Sequence, residues 1–397
     1  MQQHSPAEVG RRTVLAALAA AAGGISLLAA CGKDGFSKKE PTKPAATFVF
    51  IPADGAKAPS PTAEISVAVK NGTFSPGVKL TNASSGKQVA LRGSADKTKY
   101  TVDEPLGYGV KYQWSGQAAG TDGKTVTLDH SFTTYQPTGT VSAVINIADG
   151  QEVGIAASLM LQFDQSIEDK AAVEKALTIT AEPATEGAWA WLPDDNGSRV
   201  HWRPKEYWQP GTKVSMTGKL YGLDYGNDAF GDSDVTSNFV IGRSQIVKAD
   251  APSHEIVVMR GDQVYQRFPC SYGEGDLARN ITRTGVHVVS EKHEDFYMSN
   301  PAAGYFNVHE RFAVRISNNG EFIHANPNTI GDQGNSNVTN GCINLSLDNA
   351  QAYFQGAVYG DPVEVTGTSI PLSSADGDIY DWTIDWPTWL SMSALKK

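Results

Sequence analysis

Residues 321–346 read EFIHANPNTIGDQGNSNVTNGCINLS, and the reactive side chains of the chain are concentrated here. The apolar residues before His324 predict a strand, and a Gly- and Asn-rich loop joins it to Cys342, 18 residues further on. Gly341 permits a backbone conformation that points amide hydrogens at a carbonyl oxygen beside the thiol. A cysteine nucleophile also needs a base, and His324 is a candidate. Without their neighbours, a buried structural thiol and a hydrogen-bonded histidine are the commoner interpretations.

The order of residues in this stretch resembles the active-site motif of L,D-transpeptidases with a YkuD-type catalytic domain. That motif has a histidine, a loop, and then Ser/Thr-His-Gly-Cys followed two residues later by Asn or Arg. Asn340 departs from the pattern, because the family usually has histidine there. The residues that match are His324, Thr339, Gly341, Cys342 and Asn344.

The resemblance implies acyl transfer on the stem peptides of peptidoglycan. Cys342, as thiolate, would attack the carbonyl between the third stem residue and its terminal D-alanine, and an amine of a neighbouring stem would then take the acyl group in a 3→3 cross-link. His324 would accept the thiol proton and protonate the leaving amine. The backbone amides of Gly341 and Cys342 would hold the oxyanion. The residues that would support the loop and the substrate are Thr339, Asn340 and Asn344.

Two alternative functions stay open at this point. With water as acceptor, the same acyl-enzyme would make the protein an L,D-carboxypeptidase. A protein that lacks the usual histidine at position 340 could also be a non-catalytic peptidoglycan-binding protein that keeps the fold. Retention of both Cys342 and His324 favours an enzyme. Because L,D-transpeptidases are typically acylated by carbapenems, the resemblance also implies binding of these inhibitors.

A polar and aromatic segment between Ser290 and Glu310 has the length and composition of a flap over a cleft. Family members place their substrate under a flap that corresponds roughly to residues 291–310. Packing of the aromatic side chains within the flap itself is the alternative explanation for them. The candidate substrate contacts, including one from the motif, are Tyr297, Met298, Tyr305 and Asn326.

The chain around the motif predicts a mainly β protein. Short alternating strands between turn signals predict immunoglobulin-like β-sandwich modules at residues 47–137 and 138–242. They are followed by a β-rich YkuD-type catalytic domain at 243–368. Residues 369–397, with Trp382, Trp386 and Trp389, resemble the C-terminal extension that packs on the catalytic domain in lipid-anchored, two-module members of the family.

The first residues are typical of an export signal. An apolar run follows Arg11-Arg12 and ends in small residues before Cys31, which resembles the lipobox of bacterial lipoproteins. Residues 1–31 would then be a lipoprotein signal peptide, with Cys31 acylated, and residues 32–46 a tether to the membrane. An uncleaved anchor is the alternative. Either interpretation places the body on the extracytoplasmic face of the bacterial cell membrane, in the cell envelope.

Composition excludes several other classes of protein. Lys and Arg number 33 against 43 Asp and Glu, a formal charge of −10, and no basic stripe is present, so nucleic acid is not an expected partner. With 3 Cys and no zinc-ligand spacing, the chain predicts neither a disulfide framework nor a metal site. No cofactor is expected. The expected partners are stem peptides, the membrane through a lipid anchor, and carbapenem-type inhibitors.

Overall fold

The computed structural model describes residues 42–193, 196–377 and 379–395. The predicted signal peptide, Cys31 and residues 32–41 of the predicted tether lie outside this range. Within the described residues, no helix is long and apolar enough to cross a membrane.

The N-terminal sandwich consists of β1 (Thr47–Ile51), β2 (Ser66–Lys70), β3 (Gly72–Phe74), β4 (Lys79–Asn82), β5 (Leu91–Gly93), β6 (Lys99–Val102), β7 (Lys111–Gly120) and β8 (Thr125–Thr133). One sheet has the order β1-β2-β6-β5, and the other has β3-β7-β4 with β8 beside β7. Strand β7 shows why the sheets face each other: Tyr112, Trp114 and Ala118 alternate with more exposed residues and pack inward.

The second sandwich has its own hydrophobic core. Its elements are β9 (Gly139–Val141), β10 (Ala143–Ile145), β11 (Glu152–Val153), β12 (Leu159–Phe163), α1 (Lys170–Ala176), β13 (Leu177–Glu182), β14 (Gly187–Ala190), β15 (Arg199–Pro204), β16 (Lys213–Gly218), β17 (Ala229–Gly231) and β18 (Val235–Ile241). The facing sheets are β10-β12-β15-β14 and β11-β18-β16-β13, with the pair β17-β9 at one side. Helix α1 begins where Asp169 accepts a hydrogen bond from the amide of Ala172.

The C-terminal domain is built on two further sheets. Its elements are β19 (Gln245–Asp250), β20 (Glu255–Arg260), β21 (Gln263–Pro269), β22 (Gly285–Val288), β23 (Glu291–Asn300), β24 (Tyr305–Arg315), β25 (Phe322–Ala325), β26 (Ile343–Leu345), α2 (Leu347–Gly356) and β27 (Pro362–Thr366). The sheets have the orders β21-β20-β19-β27-β22 and β23-β24-β25-β26. Their apolar faces and helix α2 share one core. Ser346 caps α2 by accepting a hydrogen bond from the amide of Asn349.

The predicted flap is a hairpin of β23 and β24. The two strands pair antiparallel from Glu291↔Arg315 to Asn300↔Tyr305, and a short turn at Pro301–Ala303 joins them. Met298 on β23, Ala313 on β24 and Phe322 on β25 pack together, which joins the hairpin to the rest of its sheet. The hairpin lines a cavity, as the sequence predicts.

The C-terminal extension contacts the second sandwich as well as the catalytic domain. It does contact that domain, where the Leu372 amide bonds to Thr284 O at 2.8 Å. It also packs on the second sandwich: Trp389 is fully buried, and its indole N–H donates to Ala188 O at 2.9 Å. Arg203, on β15, attracts the extension to the second sandwich, because its guanidinium carbon lies 4.7–5.3 Å from three aromatic rings of the extension. These rings belong to Trp382, Trp386 and Trp389, the last two on helix α3 (Trp386–Ser391).

Candidate active site

Parallel pairing of β25 and β26 brings the motif together. Ile323 lies opposite Ile343, and His324 lies opposite Asn344. Cys342 directly precedes β26 and therefore lies close to the strand that carries His324. The long loop between these strands is needed because parallel strands cannot be joined by a tight turn. The thiol is half-buried, and its Sγ lies 3.6 Å from Gly320 O.

The backbone before Cys342 takes the conformation that glycine allows. Gly341 has φ of +118°, a region that other residues rarely adopt. Thr339 fixes this turn, because its hydroxyl donates to Cys342 O at 2.6 Å and accepts from the Gly341 amide at 3.2 Å. The Gly341 amide is therefore engaged by Thr339, which differs from the expectation that it faces an oxyanion. Of the two expected donors, the Cys342 amide is the one that remains.

Two hydrogen-bond acceptors at Nδ1 fix the orientation of the His324 side chain. Its side chain is 3% exposed, and Nδ1 lies 3.1 Å from Glu310 Oε2 and 3.0 Å from Ala325 O. Two acceptors at Nδ1 place the proton there in the neutral ring and leave Nε2 for the thiol. Burial alone would lower the pKa of His324, but hydrogen bonds to Cys342 and Glu310 outweigh it and raise the pKa to about 10. The pair is thus arranged for proton transfer.

Two cavities border the thiol. The larger, about 540 Å³, is bounded by the flap and by Phe322 and Arg315. The smaller, about 240 Å³, contains His324 and Glu310. The residues that border both cavities are Met298, Tyr305, Asn340 and Cys342. A thiol that borders two cavities can meet one ligand in each of them.

The predicted substrate contacts all lie at these cavities. Met298 is buried, whereas Tyr297 is 59% exposed and stacks on His309. Tyr305 is half-buried, and burial together with the charge of Cys342 raises the pKa of its hydroxyl. Asn326 lines the smaller cavity, but its side-chain oxygen accepts a hydrogen bond from the Asn328 amide.

The two predicted asparagines of the motif differ in their surroundings. Asn340 is exposed, and within the described residues its side chain makes no hydrogen bond. Asn344 is 3% exposed, and its backbone pairs with Ser271 through hydrogen bonds of 2.9 and 3.1 Å. Its side-chain oxygen is buried without a partner among the described residues and borders the smaller cavity. A buried acceptor of this kind can receive a hydrogen bond from a ligand.

Sequence analysis does not identify Glu310 or Arg315. Glu310 stands at the end of the predicted flap, in step with the alternating apolar residues Phe312 and Val314, which suggests an inward-facing strand position. Arg315, also on β24, bonds to Glu291 at 3.0 Å and stacks over Phe322 at the wall of the larger cavity. The position of the charged Glu310 within an apolar alternation was the sequence signal that could have identified it.

The other reactive groups do not form a second site. Cys270 and Cys342 are free thiols, and burial raises the pKa of Cys270 to about 12. Among the described residues, no group of three His, Cys, Asp or Glu side chains is placed to hold a metal ion.

Comparison with known proteins agrees with this geometry. A family model for the L,D-transpeptidase catalytic domain matches residues 244–365, and one for a bacterial Ig domain matches residues 56–224. The chain is 57% identical to L,D-transpeptidase 5 of Mycobacterium tuberculosis over 393 residues, which cover 98% of this chain and 87% of that relative. It is 32% identical to L,D-transpeptidase 2 of the same species, with 86% and 83% covered.

A solved structure of an L,D-transpeptidase in complex with imipenem shares 30% identity and a TM-score of 0.48, covering 58% of this chain and all of that one. The fold and the site thus define a cysteine acyltransferase with immunoglobulin-like modules. On the extent of its identity with the first relative, the chain belongs to the L,D-transpeptidase family. The predicted family and the mainly β fold class are confirmed.

Proposed function

We propose that this enzyme forms 3→3 cross-links in peptidoglycan through a cysteine acyl-enzyme. Cys342 Sγ attacks the carbonyl between the third stem residue and the terminal D-alanine. A thioester forms, the amide C–N bond breaks, and D-alanine leaves with a proton from His324. An amine of a neighbouring stem then attacks the thioester, gives a proton back through His324, and releases the thiol.

The surroundings of Cys342 support this assignment of roles. The amide of Cys342 is the proposed donor to the oxyanion, a contribution worth about 3–4 kcal/mol in comparable sites. Thr339 holds the loop through its bonds to Cys342 and Gly341. Asn340 and Asn344 border the cavities and are proposed to hydrogen-bond the substrate.

The proposed substrate contacts are those that line the cavities beside the thiol. Met298 and Tyr305 border both cavities, Tyr297 borders the larger one, and Asn326 borders the smaller one. An extended stem peptide beneath the flap would meet these side chains on its way to Cys342. We therefore keep the four residues as candidate substrate contacts.

The observation that carries the choice of acceptor is the second cavity. An L,D-carboxypeptidase needs room only for the donor stem and water, whereas a transpeptidase also needs room for a second stem. Cys342 borders two cavities, of about 540 and 240 Å³. This arrangement favours an amine acceptor over water.

Product analysis after incubation with a disaccharide tetrapeptide tests the proposal. The expected product is a cross-linked dimer with the mass of two monomers less one D-alanine, and it should be absent with Cys342→Ala. Accumulation of tripeptide monomer without dimer would favour the carboxypeptidase. Binding without any product would favour the non-catalytic alternative.

Carbapenems are proposed inhibitors for the same chemical reason. Their strained cyclic amide presents an acyl group to Cys342, and opening of the ring leaves the acyl group attached to the thiol. His324 would protonate the ring nitrogen as it would the leaving amine of a stem. Because the nitrogen stays tethered to the acyl group after ring opening, nothing departs, and the adduct has the mass of the enzyme plus the inhibitor.

We also propose that Cys31 carries a lipid and anchors the protein to the extracytoplasmic face of the cell membrane. The support is the run of small residues before Cys31 in the sequence. The two sandwiches, proposed to span residues 47–137 and 138–242, would hold the catalytic domain (243–368) and its extension (369–397) away from the membrane. Detergent partitioning of wild type and Cys31→Ala tests the anchor: equal partitioning would refute it, since two acyl chains give stable attachment.

A further inference from the structure

Glu310 is a partly buried carboxylate that the family motif does not contain. It stands on β24, outside the segment that carries His324 and Cys342. Its side chain is 14% exposed, and its Oε2 lies 3.1 Å from Nδ1 of His324. Removing a carboxylate from water is costly, so its place behind the histidine requires a compensating interaction. That interaction is the bond to His324.

A bulge in β24 turns Glu310 toward the histidine. Arg311 pairs with Ala325 and Val314 pairs with Ile323, so three steps on β24 match two steps on β25. The extra residue reverses the alternation, and the residues that precede the bulge change faces. Glu310 therefore shares a face with His324 rather than with the apolar core.

The bulge is maintained at a local cost in backbone energy. Phe312, within it, has φ of +53°, which is rare for a bulky side chain. Its ring packs in the core beside Phe354, at a centroid distance of 5.7 Å. A strained residue held by packing next to a reactive pair is a common device for aiming a side chain.

We propose that Glu310 is a positioning residue for the catalytic histidine: its carboxylate holds the Nδ1–H of His324 and so presents Nε2 to the thiol of Cys342. The inference rests on the acyl transfer proposed above. It adds a charged third member to a pair that would otherwise be oriented only by Ala325 O. A carboxylate stabilises the imidazolium that forms when His324 takes the thiol proton, whereas a neutral carbonyl does so more weakly.

The titratable groups around His324 define what a change of pH can do. Glu310 faces it from β24, and Cys342 faces it from the loop before β26. Tyr305, at the start of β24, borders the same cavity, and its raised pKa keeps its hydroxyl neutral near pH 7. The hydrogen bond and the charge of Glu310 both raise the pKa of His324. Loss of that charge should therefore lower it.

The direction of the pH effect on the acylation rate follows from the role of His324 as proton donor. His324 must carry the proton that it gives to the leaving nitrogen, and this proton is lost as the pH rises through the pKa of the ring. In Glu310→Gln the alkaline limb of the acylation rate should move to lower pH by roughly one to two units, the value of one charged hydrogen bond. The maximal rate should fall roughly 10- to 100-fold.

The experiment follows acylation of the enzyme by imipenem, with intact-mass analysis at timed intervals and at several pH values. The variants are Glu310→Gln, Glu310→Asp and, as control, Glu294→Gln. Glu294 is a flap carboxylate on β23 that is 67% exposed and pairs with Arg311 at 3.4 Å, away from His324. Glu310→Asp should restore part of the shift, and Glu294→Gln should match wild type.

A second readout does not depend on acylation. The imidazole of His324 is followed by NMR in labelled wild type and in Glu310→Gln, with His324→Gln used for assignment. A protein that is not acylated but shows the lowered pKa in Glu310→Gln would refute the proposed function and keep the role of Glu310.

Two results would overturn the role of Glu310. One is a folded Glu310→Gln protein whose acylation rate declines at the same alkaline pH as in wild type and whose His324 titrates as in wild type. The other is a uniform loss of rate at all pH values with no shift, which indicates only structural support. If Glu310→Gln does not fold, the wild-type titration decides, and a pKa near the ordinary value of 6.5 would contradict the proposal.

Discussion

Among the described residues a buried histidine lies beside a carboxylate in three places, and two of these pairs lie in contrasting surroundings. In the cleft, Nδ1 of His324 lies 3.1 Å from Glu310. Under the C-terminal extension, Nδ1 of His201 lies 3.0 Å from Asp381, with 0% and 4% of the two side chains exposed. The pairs share chemistry and burial, and they differ in what lies next to them.

The neighbours explain the different uses of the two pairs. His324 adjoins a half-buried thiol and a cavity, so that its second nitrogen can exchange a proton with Cys342. His201, on β15, stands next to Arg203 and joins two segments 180 residues apart in the chain. In the proposed mechanism the cleft pair can take part in chemistry because a thiol and an open cavity adjoin it. The other pair, His201 with Asp381, fixes one segment on another.

The largest effect is expected from His324→Ala. Loss of the base should lower the acylation rate of Cys342 by about 10²–10⁴-fold, because proton transfer no longer assists attack or departure. His201→Ala, its counterpart in the other region, should leave the rate per folded molecule unchanged. The measurement is the carbapenem acylation rate, scaled to the folded fraction. Equal losses in the two variants would remove the distinction between the regions.

The next effect is on stability. Deletion after Ser369 removes Trp389, which is fully buried, together with the ring contacts to Arg203. The free energy of unfolding should fall by at least about 3 kcal/mol, the cost of losing one buried tryptophan, and activity should fall with it. Thermal melting and acylation of the truncated protein check this. An unchanged melting temperature would exclude a structural role for the extension.

The pH dependence of the free energy of unfolding tests the protonation of His324 in the cleft. The pKa of His324 is raised from 6.5 to about 10, so its proton stabilises the folded state. That contribution is complete below about pH 6.5 and is lost as the pH rises through about 10. Urea unfolding at several pH values should therefore show a difference between wild type and His324→Ala that changes over this window. A constant difference would contradict the raised pKa.

The smallest effect is expected from Asn340. It cannot titrate near neutral pH, so it is not the proton carrier, and Asn340→Ala should cost about one hydrogen bond. That amounts to roughly 0.5–1.5 kcal/mol, or about two- to twelve-fold in acylation rate. Asn340→His should be tolerated. If Asn340→Ala is inert while His324→Ala acylates normally, the two roles are reversed.

Local patterns predicted much of the cleft. The strand predicted from the apolar residues before His324 depends on neighbours in sequence, and the structure confirms it. The resemblance to the family motif supplied the pairing of His324 with Cys342. These features were predictable because each is set by a few adjacent residues or by a long ordered motif.

The other features depend on contacts that are distant in sequence. The alternation of Glu310 with Phe312 predicts a core-facing position, and only the bulge reverses it. Arg203 lies about 180 residues before the tryptophans that surround it, and the spacing of those tryptophans suggests a helix face rather than a shared cation. Sequence periodicity carries no information on these.

The assignment of Cys342 as the nucleophile is the central claim, and mapping of the acyl adduct tests it most directly. The chain offers an internal control in Cys270, which is fully buried, with a pKa raised to about 12, while Cys342 borders both cavities. After reaction with a carbapenem, intact-mass analysis should show one adduct, and digestion should locate it on the peptide that contains Cys342. An adduct on Cys270, or none on the folded protein, would contradict the account.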